Sequence, residues 1–412
     1  MMKSLVFLYI LLVCTACVTQ GAPTLEASPT RNATRTFPAT IQPTSTPSPT
    51  LTTKPTLLPA TPIPLFKVLI DNLAIGRRGQ LYASGFNEGD DLRHFAQWDG
   101  SKWVELGDGF KTAGNSLVGD SVGHLYTEIL TDTERCMAIM EWDGERWEDI
   151  TANFVEAVDA LQAGRVSCNV PVVALAVDGE DNLYAAGAFY YASPDSGNEL
   201  PMGYVAMWNK ETWTTLGQGF DRVNIYGMAV GTTGKVYVFG EQPLISAGAY
   251  NTHGFIAEWD GEKWTPIDTS KLNACLDVAD IALDKSEGLY AACRMDGPGV
   301  VIGFWDGADW ITITDRLEGE APAVFDMAVD QNGQLCIGGS FDSVSGVPAK
   351  YIACWDGSLW RALGSGVNER VNALAFDPSG DLYAVGFFTE AGGQPADHAA
   401  RWDGETWHAL GQ

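Results

Sequence analysis

Histidine is nearly missing from this chain: His94, His124, His253, His398 and His408 are the five among 412 residues. Copper and zinc centres are built from clustered imidazoles and thiolates, so histidines scattered this widely read as surface or loop residues. None of the six cysteines beyond the N-terminal segment falls in a C-x-x-C or Cys/His spacing that suggests zinc. Cations are scarce too. The chain has 25 Lys and Arg against 52 Asp and Glu, a formal net charge of −27. Such a chain repels phosphate backbones and anionic lipid, which excludes nucleic acid as a partner. No apolar run approaches the roughly 20 residues that span a bilayer. The sequence also offers no nucleophile elbow, no phosphate-cradling glycine loop and no H-E-x-x-H helix. Paired carboxylates abound, but in so acidic a chain they carry little specificity.

What the N-terminus does contain is an address. Lys3 precedes a short apolar stretch at 5–13, and the small residues Thr15 and Ala16 precede Cys17. This resembles the lipobox of bacterial lipoproteins, which implies a signal peptide over 1–16 and lipidation of Cys17; an ordinary secretory signal is the alternative. Either one exports the protein. From 17 to 65 the chain is Thr, Pro, Ser and Ala with little else. It has too little apolar surface to offset the entropy of ordering it, and its prolines favour an extended, semi-stiff spacer. The expectation is a disordered linker that holds a domain off a membrane, the lipid being the only membrane contact.

Residues 66–412 are repetitive. All fourteen tryptophans fall in seven pairs five residues apart: Trp98/Trp103, Trp142/Trp147, Trp208/Trp213, Trp259/Trp264, Trp305/Trp310, Trp355/Trp360 and Trp402/Trp407. Six pairs read W-D-G-x-x-W, and the third reads WNKETW. A recurrence near 50 residues marks a propeller or solenoid. The last unit divides into four short strands, A at 371–376, B at 382–388, C at about 398–402 and D at 406–410. Asp377-Pro378-Ser379-Gly380 between A and B suits a type I turn closed by a left-handed glycine, and Asp-Gly between C and D is again hairpin chemistry. Four antiparallel strands joined by short turns make a propeller blade. A second column supports this. Ala74, Ala176, Ala229, Ala282, Ala328 and Ala375, with Val118 in the second repeat, share one place in strand A. Innermost strands converge on an axis and need small side chains there, while the paired tryptophans fill the outer gaps as core. The sequence thus predicts an all-β, seven-bladed propeller whose ring closes by packing blade 7 on blade 1, with no exchanged strand.

The order G-x-L-Y-A-x-G, variable loop, A-x-W-D-G-x-x-W resembles the kelch and galactose-oxidase propeller repeat. It looks still more like the WDG-type repeats of bacterial surface lipoproteins and of fungal cortical polarity markers. The resemblance covers 66–412 and implies the fold; it implies little about activity, because propellers host unrelated functions. The Gly-His partner of WD repeats is absent. So are the clustered His and Tyr that the galactose-oxidase copper site requires. No cofactor is expected.

Six cysteines lie in the repeats: Cys136, Cys168, Cys275, Cys293, Cys336 and Cys354. They allow fifteen pairings in principle. Blade geometry puts Cys336 and Cys354 on neighbouring strands at one face, and Cys136, Cys168, Cys275 and Cys293 at the other. The expected bridges are 136–168, 275–293 and 336–354, with buried free thiols as the alternative.

The A–B and C–D turns are short and uniform, whereas the B–C and D–A connections vary; 151–171, 190–203 and 241–253 are the longest. Both variable sets emerge on one face, a common arrangement for recognition. Near that end of the channel the A strands begin with Asp71, Asn72, Asn115, Ser116, Asp280, Asp326 and Asn372. They make a polar ring that suits a cation or polar ligand, or simply a solvated channel mouth. The leading expectation is an extracytoplasmic, non-catalytic binding propeller for protein or glycan. A surface carbohydrate-active hydrolase or lyase is one alternative, and a structural envelope component is another.

Overall fold

The computed structural model describes residues 69–411 apart from 88–90, 112, 131–136, 151–171, 193–198, 218, 222, 247–248, 273–274 and 296–298. The chain divides into two units, Met1–Thr61 and Pro62–Gln412, and every described residue belongs to the second. Seven antiparallel sheets follow one another, each with its strands hydrogen-bonded in chain order from the inside out. Blade 1 is β1 (Leu69–Ile75), β2 (Leu81–Phe86), β3 (Arg93–Trp98) and β4 (Trp103–Glu105). Blade 2 is β5 (Ala113–Gly119), β6 (Leu125–Leu130), β7 (Met137–Trp142) and β8 (Trp147–Asp149). Blade 3 is β9 (Val172–Val177), β10 (Leu183–Ala192), β11 (Glu199–Trp208) and β12 (Trp213–Thr215), with β13 (Phe220–Asp221) pairing the far end of β11. Blade 4 is β14 (Asn224–Val230), β15 (Val236–Ser246), β16 (Ala249–Trp259) and β17 (Trp264–Ile267). Blade 5 is β18 (Asp277–Leu283), β19 (Leu289–Arg294), β20 (Val300–Trp305) and β21 (Trp310–Thr314); β22 (Leu317–Glu318) follows it. Blade 6 is β23 (Ala323–Val329), β24 (Leu335–Ser340), β27 (Ile352–Trp355) and β28 (Trp360–Ala362), and β22 joins β25 (Ser343–Val344) and β26 (Val347–Pro348) in a small side sheet. Blade 7 is β29 (Val371–Phe376), β30 (Leu382–Gly386), β33 (Ala399–Trp402) and β34 (Trp407–Ala409), with the hairpin β31 (Glu390–Ala391)–β32 (Gln394–Pro395) between its second and third strands.

The repeat motif is legible atom by atom. In each blade the two tryptophans face one another across the third and fourth strands, as in Trp98↔Trp103 and Trp402↔Trp407, with ring centroids 5.3–6.0 Å apart. None of the fourteen is exposed. The second tryptophan also reaches the preceding blade. The indole N–H of Trp147 donates to the Leu106 carbonyl at 2.8 Å, Trp264 to Leu216 at 2.7 Å and Trp407 to Leu363 at 2.8 Å. Between the tryptophans, the Asp accepts from two turn amides, as Asp260 does from Glu262 and Lys263. The following residue is left-handed in all seven turns; it is glycine in six and Lys210, at φ 75°, in the third.

Blades adhere through apolar layers shared by neighbours. One core joins Tyr290 and Ile302 of blade 5 to Leu335, Ile337 and Trp360 of blade 6. Another joins Ile70, Leu81 and Trp103 of blade 1 to Ala373, Val385 and Leu410 of blade 7. With β29 packed on β1 and Gly411 against the Trp103 ring, the circle closes without an exchanged strand.

Every inner strand carries a β-bulge near its start, marked by a register shift such as Ile70/Asn72, Val278/Asp280 and Val324/Asp326. The bulge drives a carbonyl onto the glycine at the fifth place of the second strand, Gly240 in VYVFG and Gly339 in LCIGG. An added Cβ would lie 1.9 Å from the Asn224 oxygen at Gly240 and 2.0 Å from the Ala323 oxygen at Gly339.

Two of the three expected disulfides fall among the described residues, and both form: Cys275–Cys293 and Cys336–Cys354. The second joins residues directly opposite on β24 and β27. Cys336 occupies the place that Tyr82, Tyr126, Tyr184, Tyr237, Tyr290 and Tyr383 take in the other blades. Cys136 and Cys168 lie outside the described residues, as do Cys17 and the whole of 1–65. Intact disulfides mark a protein that matures in an oxidising, extracytoplasmic compartment. No helix among the described residues is long and apolar enough to cross a membrane.

Two long connections read as loops carry strand in their described residues: 190–192, 199–203, 241–246 and 249–253 are strand, because β10–β11 and β15–β16 run on past the length of the other blades. Sequences such as LIS and AYNT carry enough β-branched and aromatic content to continue a ladder already begun.

Candidate functional site

The polar residues at the starts of the inner strands lie where expected, but the bulge sorts them into two sets with different work. Asp71 and Asn372 are bulge residues, and Asn115 lies in the irregular start of β5. Asp71 turns back across its own sheet to the buried Arg93 at 2.7 Å. Burial pushes the Asp71 carboxyl above the ordinary range even with that guanidinium beside it. Asn72, Ser116, Asp280 and Asp326 occupy the next position. Three of them reach the following blade: Ser116 Oγ accepts from the Leu175 amide at 3.2 Å, Asp326 Oδ2 from the Leu374 amide at 2.6 Å, and Asp280 meets Asp326. These amides lie on the open edge of an inner strand, where they would otherwise lack an acceptor.

Asp280 and Asp326 differ from the rest. They hold one register position on adjacent inner strands, and their carboxyls hydrogen-bond each other. Asp280 Oδ2 is shut off from solvent and accepts no hydrogen bond, while the Ile281 and Met327 amides bind the carboxyl. Burial raises the Asp280 carboxyl well above its ordinary range and pushes Asp326 up to about 7. Above that value the pair holds one proton, with Asp280 donating to the Asp326 carboxylate. Among the described residues no group of three His, Cys, Asp or Glu gathers as a metal-ligand set.

At the opposite end of the inner strands the A–B turns of different blades hydrogen-bond one another. Arg77 of blade 1 donates to the Asp178 and Gly179 carbonyls of blade 3. The Ser121 amide donates to Asp181 at 2.9 Å, and the Thr233 amide to Glu287 at 2.8 Å. Gln331 donates to the Pro378 carbonyl, and the Pro378 ring packs near Gly79. Here the sequence reading needs one correction. Gly119-Asp120-Ser121-Val122-Gly123 spells the G-x-S-x-G of a nucleophile elbow. In the fold it is a turn between two strands, and the Ser121 hydroxyl is bound to Asp181.

Beside this turn lies a buried network that only the broken W-D-G motif hinted at. Lys210 Nζ donates to Asp120 Oδ2 at 2.8 Å and to the Tyr126 hydroxyl at 2.6 Å. It sits 5.1 Å from the centre of the Tyr126 ring. Burial penalises the Asp120 charge, but the Lys210 bond and turn amides outweigh it and hold the carboxyl below its ordinary range.

The cleft suited to a ligand opens on the loop-rich face. It measures about 630 Å³ and lies where β13, the β15–β16 hairpin and the connection from blade 4 to blade 5 meet. Phe220, Val223, Phe255, Ile267 and Leu276 line it, together with Cys275. The Cys275–Cys293 bridge fixes that wall, and Gly254 lies against the Cys275 sulfur, where a Cβ would come within 2.6 Å. Gln242 and His253 stand directly opposite one another on β15 and β16 and form one polar side of the opening. The 3₁₀ turn Thr269–Lys271, capped by Asp268, brings Asp268, Thr269 and Ser270 to the same cleft. The Thr269 hydroxyl is spent on the Gly254 carbonyl at 2.6 Å. An apolar pocket of this size with a few convergent polar groups is the usual form of a small binding site.

The fold is shared with known propellers. The β-propeller domain of the Trilobed protease from Pyrococcus furiosus superposes with a TM-score of 0.53 at 10% identity, covering 84% of this chain and 98% of that one. The acylaminoacyl peptidase of Pyrococcus horikoshii superposes with a TM-score of 0.52 at 11% identity, covering 84% of this chain. It matches over 52% of its own chain, so the present protein spans about half of that enzyme. At these identities the likeness is one of fold. No family model and no curated protein sequence matches the chain.

Proposed function

We propose that this is an extracytoplasmic, membrane-anchored, non-catalytic propeller that recognises a protein or glycan on the face bearing its B–C and D–A connections. The observation that carries the reading is the 630 Å³ cleft on that face, walled by a disulfide and by an extended hairpin. The rigid ring behind it suits recognition, since seven interlocked blades hold the cleft residues in place without needing ligand. Kelch-like, WDG-type repeats fit the recurrence of one turn chemistry in all seven blades.

Full-length protein applied to glycan and envelope-protein arrays is expected to show saturable retention without turnover. A Gln242→Ala/His253→Ala variant should lose that retention while unfolding at the wild-type midpoint. Turnover on a polysaccharide would instead establish the hydrolase or lyase reading. Retention untouched by the double variant would move recognition off this cleft.

The anchor belongs to the same proposal. Intact mass of the membrane-extracted protein is expected to show diacylglyceryl on Cys17 at the mature N-terminus. A free terminus near Ala16 or Ala22 would remove it.

A further inference from the structure

Resting on that recognition reading, the cleft's chemistry narrows the ligand. The floor is a socket: Val223, Phe255, Ile267 and Cys275 are 2–8% exposed. Phe220 stands edge-to-face with Phe255 at 5.1 Å and with Trp264 at 4.9 Å. Rings engaged with one another in this way shape a hole for an inserted side chain. A sugar ring needs a flat aromatic platform to stack on.

The rim is polar and unsaturated. No hydrogen bond joins the side chains of Gln242 or His253 to another described residue, and both are exposed. An amide and an imidazole together can donate to and accept from a peptide main chain.

The fixed charge at the rim is negative. Asp268 Oδ1 accepts from the Ser270 hydroxyl at 2.6 Å and its amide at 3.0 Å. The hydroxyl bond and then the amide hold this carboxyl below its ordinary range, so it is ionised at neutral pH. The cation next along the chain, Lys271, pairs with Asp309 at 2.5 Å and acts on Asp268 only through its field. The whole chain, at −27, adds its field to the same sign.

We infer that the cleft takes a basic peptide segment of a partner protein, inserting one aromatic or aliphatic side chain into the Val223/Phe255/Ile267 socket. Its main chain meets Gln242 and His253, and a flanking Lys or Arg meets Asp268. Anionic glycans are repelled by this rim, and neutral ones gain nothing from its carboxylate.

Full-length protein would be titrated with short synthetic peptides in three sets: a central Phe or Leu flanked by Lys, the same core flanked by Glu, and a central Ser flanked by Lys. A neutral glycan array runs in parallel. The first set is expected to bind at least about tenfold tighter than the other two, and to weaken as salt is raised. Gln242→Ala/His253→Ala and Asp268→Asn should each lower affinity about tenfold. Their unfolding midpoints would be recorded alongside, so that a loss of fold is told apart from a loss of contact. Equal binding of the Lys- and Glu-flanked sets overturns the inference. So does peptide binding indifferent to the cleft variants. Retention of glycans, lost in those variants, overturns the peptide class and leaves the recognition face standing. Silence of folded protein toward every set removes both.

Discussion

Replacing Gly240 with alanine is expected to destabilise the propeller by about 3 kcal/mol. The position is compact in a particular way: the new Cβ would lie 1.9 Å from the Asn224 carbonyl oxygen and 3.0 Å from the Ile225 Cα. Both neighbours are backbone, so no rotamer change relieves the overlap. The inner strand would have to lift off β15 at its bulge, where Asn224 pairs with Glu241 and Ile225 with Gly240. Gly404→Ala is the informative companion. Its turn sits at φ +97° with nothing within 4 Å of the added atom. It should cost only the left-handed backbone penalty, about 1 kcal/mol. Urea unfolding of both variants measures the contrast. Equal losses would show that Gly240 is there for turn-like freedom rather than for the close approach of the bulge.

The second large effect is a pH dependence. In the folded protein burial holds the Asp280 and Asp326 carboxyls above their ordinary range, so both keep their protons well above pH 4. In the unfolded chain each is an ordinary aspartate that ionises near pH 4. Between those values the native state binds more protons than the unfolded state, so stability falls as pH rises. The contribution is fully present below about pH 4 and is lost as pH rises through about 7, the value to which Asp326 is pushed. The loss should be on the order of 2–4 kcal/mol. Asp326→Asn tests the cause. Its amide oxygen can still accept from the Leu374 amide, and it has no proton to lose. Unfolding midpoints across this window should slope downward in the wild type and less steeply in the variant. The idea would be falsified if the two slopes were the same. Below the window the sign reverses. The turn aspartates Asp99, Asp143, Asp260 and Asp306 lie below their ordinary range because turn amides bind them, so their contribution fades as acid protonates them.

Much of this molecule was legible before any coordinates. Seven recurring Trp pairs defined seven blades, and the pairing Trp402↔Trp407 is what W-D-G-x-x-W encodes. The small column in strand A marked the innermost strands, and Ala74 and Ala282 are buried there. Two disulfides followed from which ends of which strands share a face. These are contacts within one repeat or between equivalent positions of adjacent repeats, so a periodic sequence states them many times over.

What tertiary structure alone decided are contacts for which the repeat carries no second copy. Lys210 replaces a turn glycine and looks like a blemish in the motif; only the fold brings it to Asp120, ninety residues earlier. The polar residues opening the inner strands read as one ring. A single-residue bulge sends Asp71 back to Arg93 and Asp326 forward to Leu374, and no periodicity announces which neighbour falls on which side of a bulge. The cleft likewise joins segments from three blades with a hairpin whose extra length the sequence presented as a loop. Local pattern determines a blade because its strands are joined by short turns. The site was left to the ring, because only its curvature sets which residues of different blades come within hydrogen-bond reach.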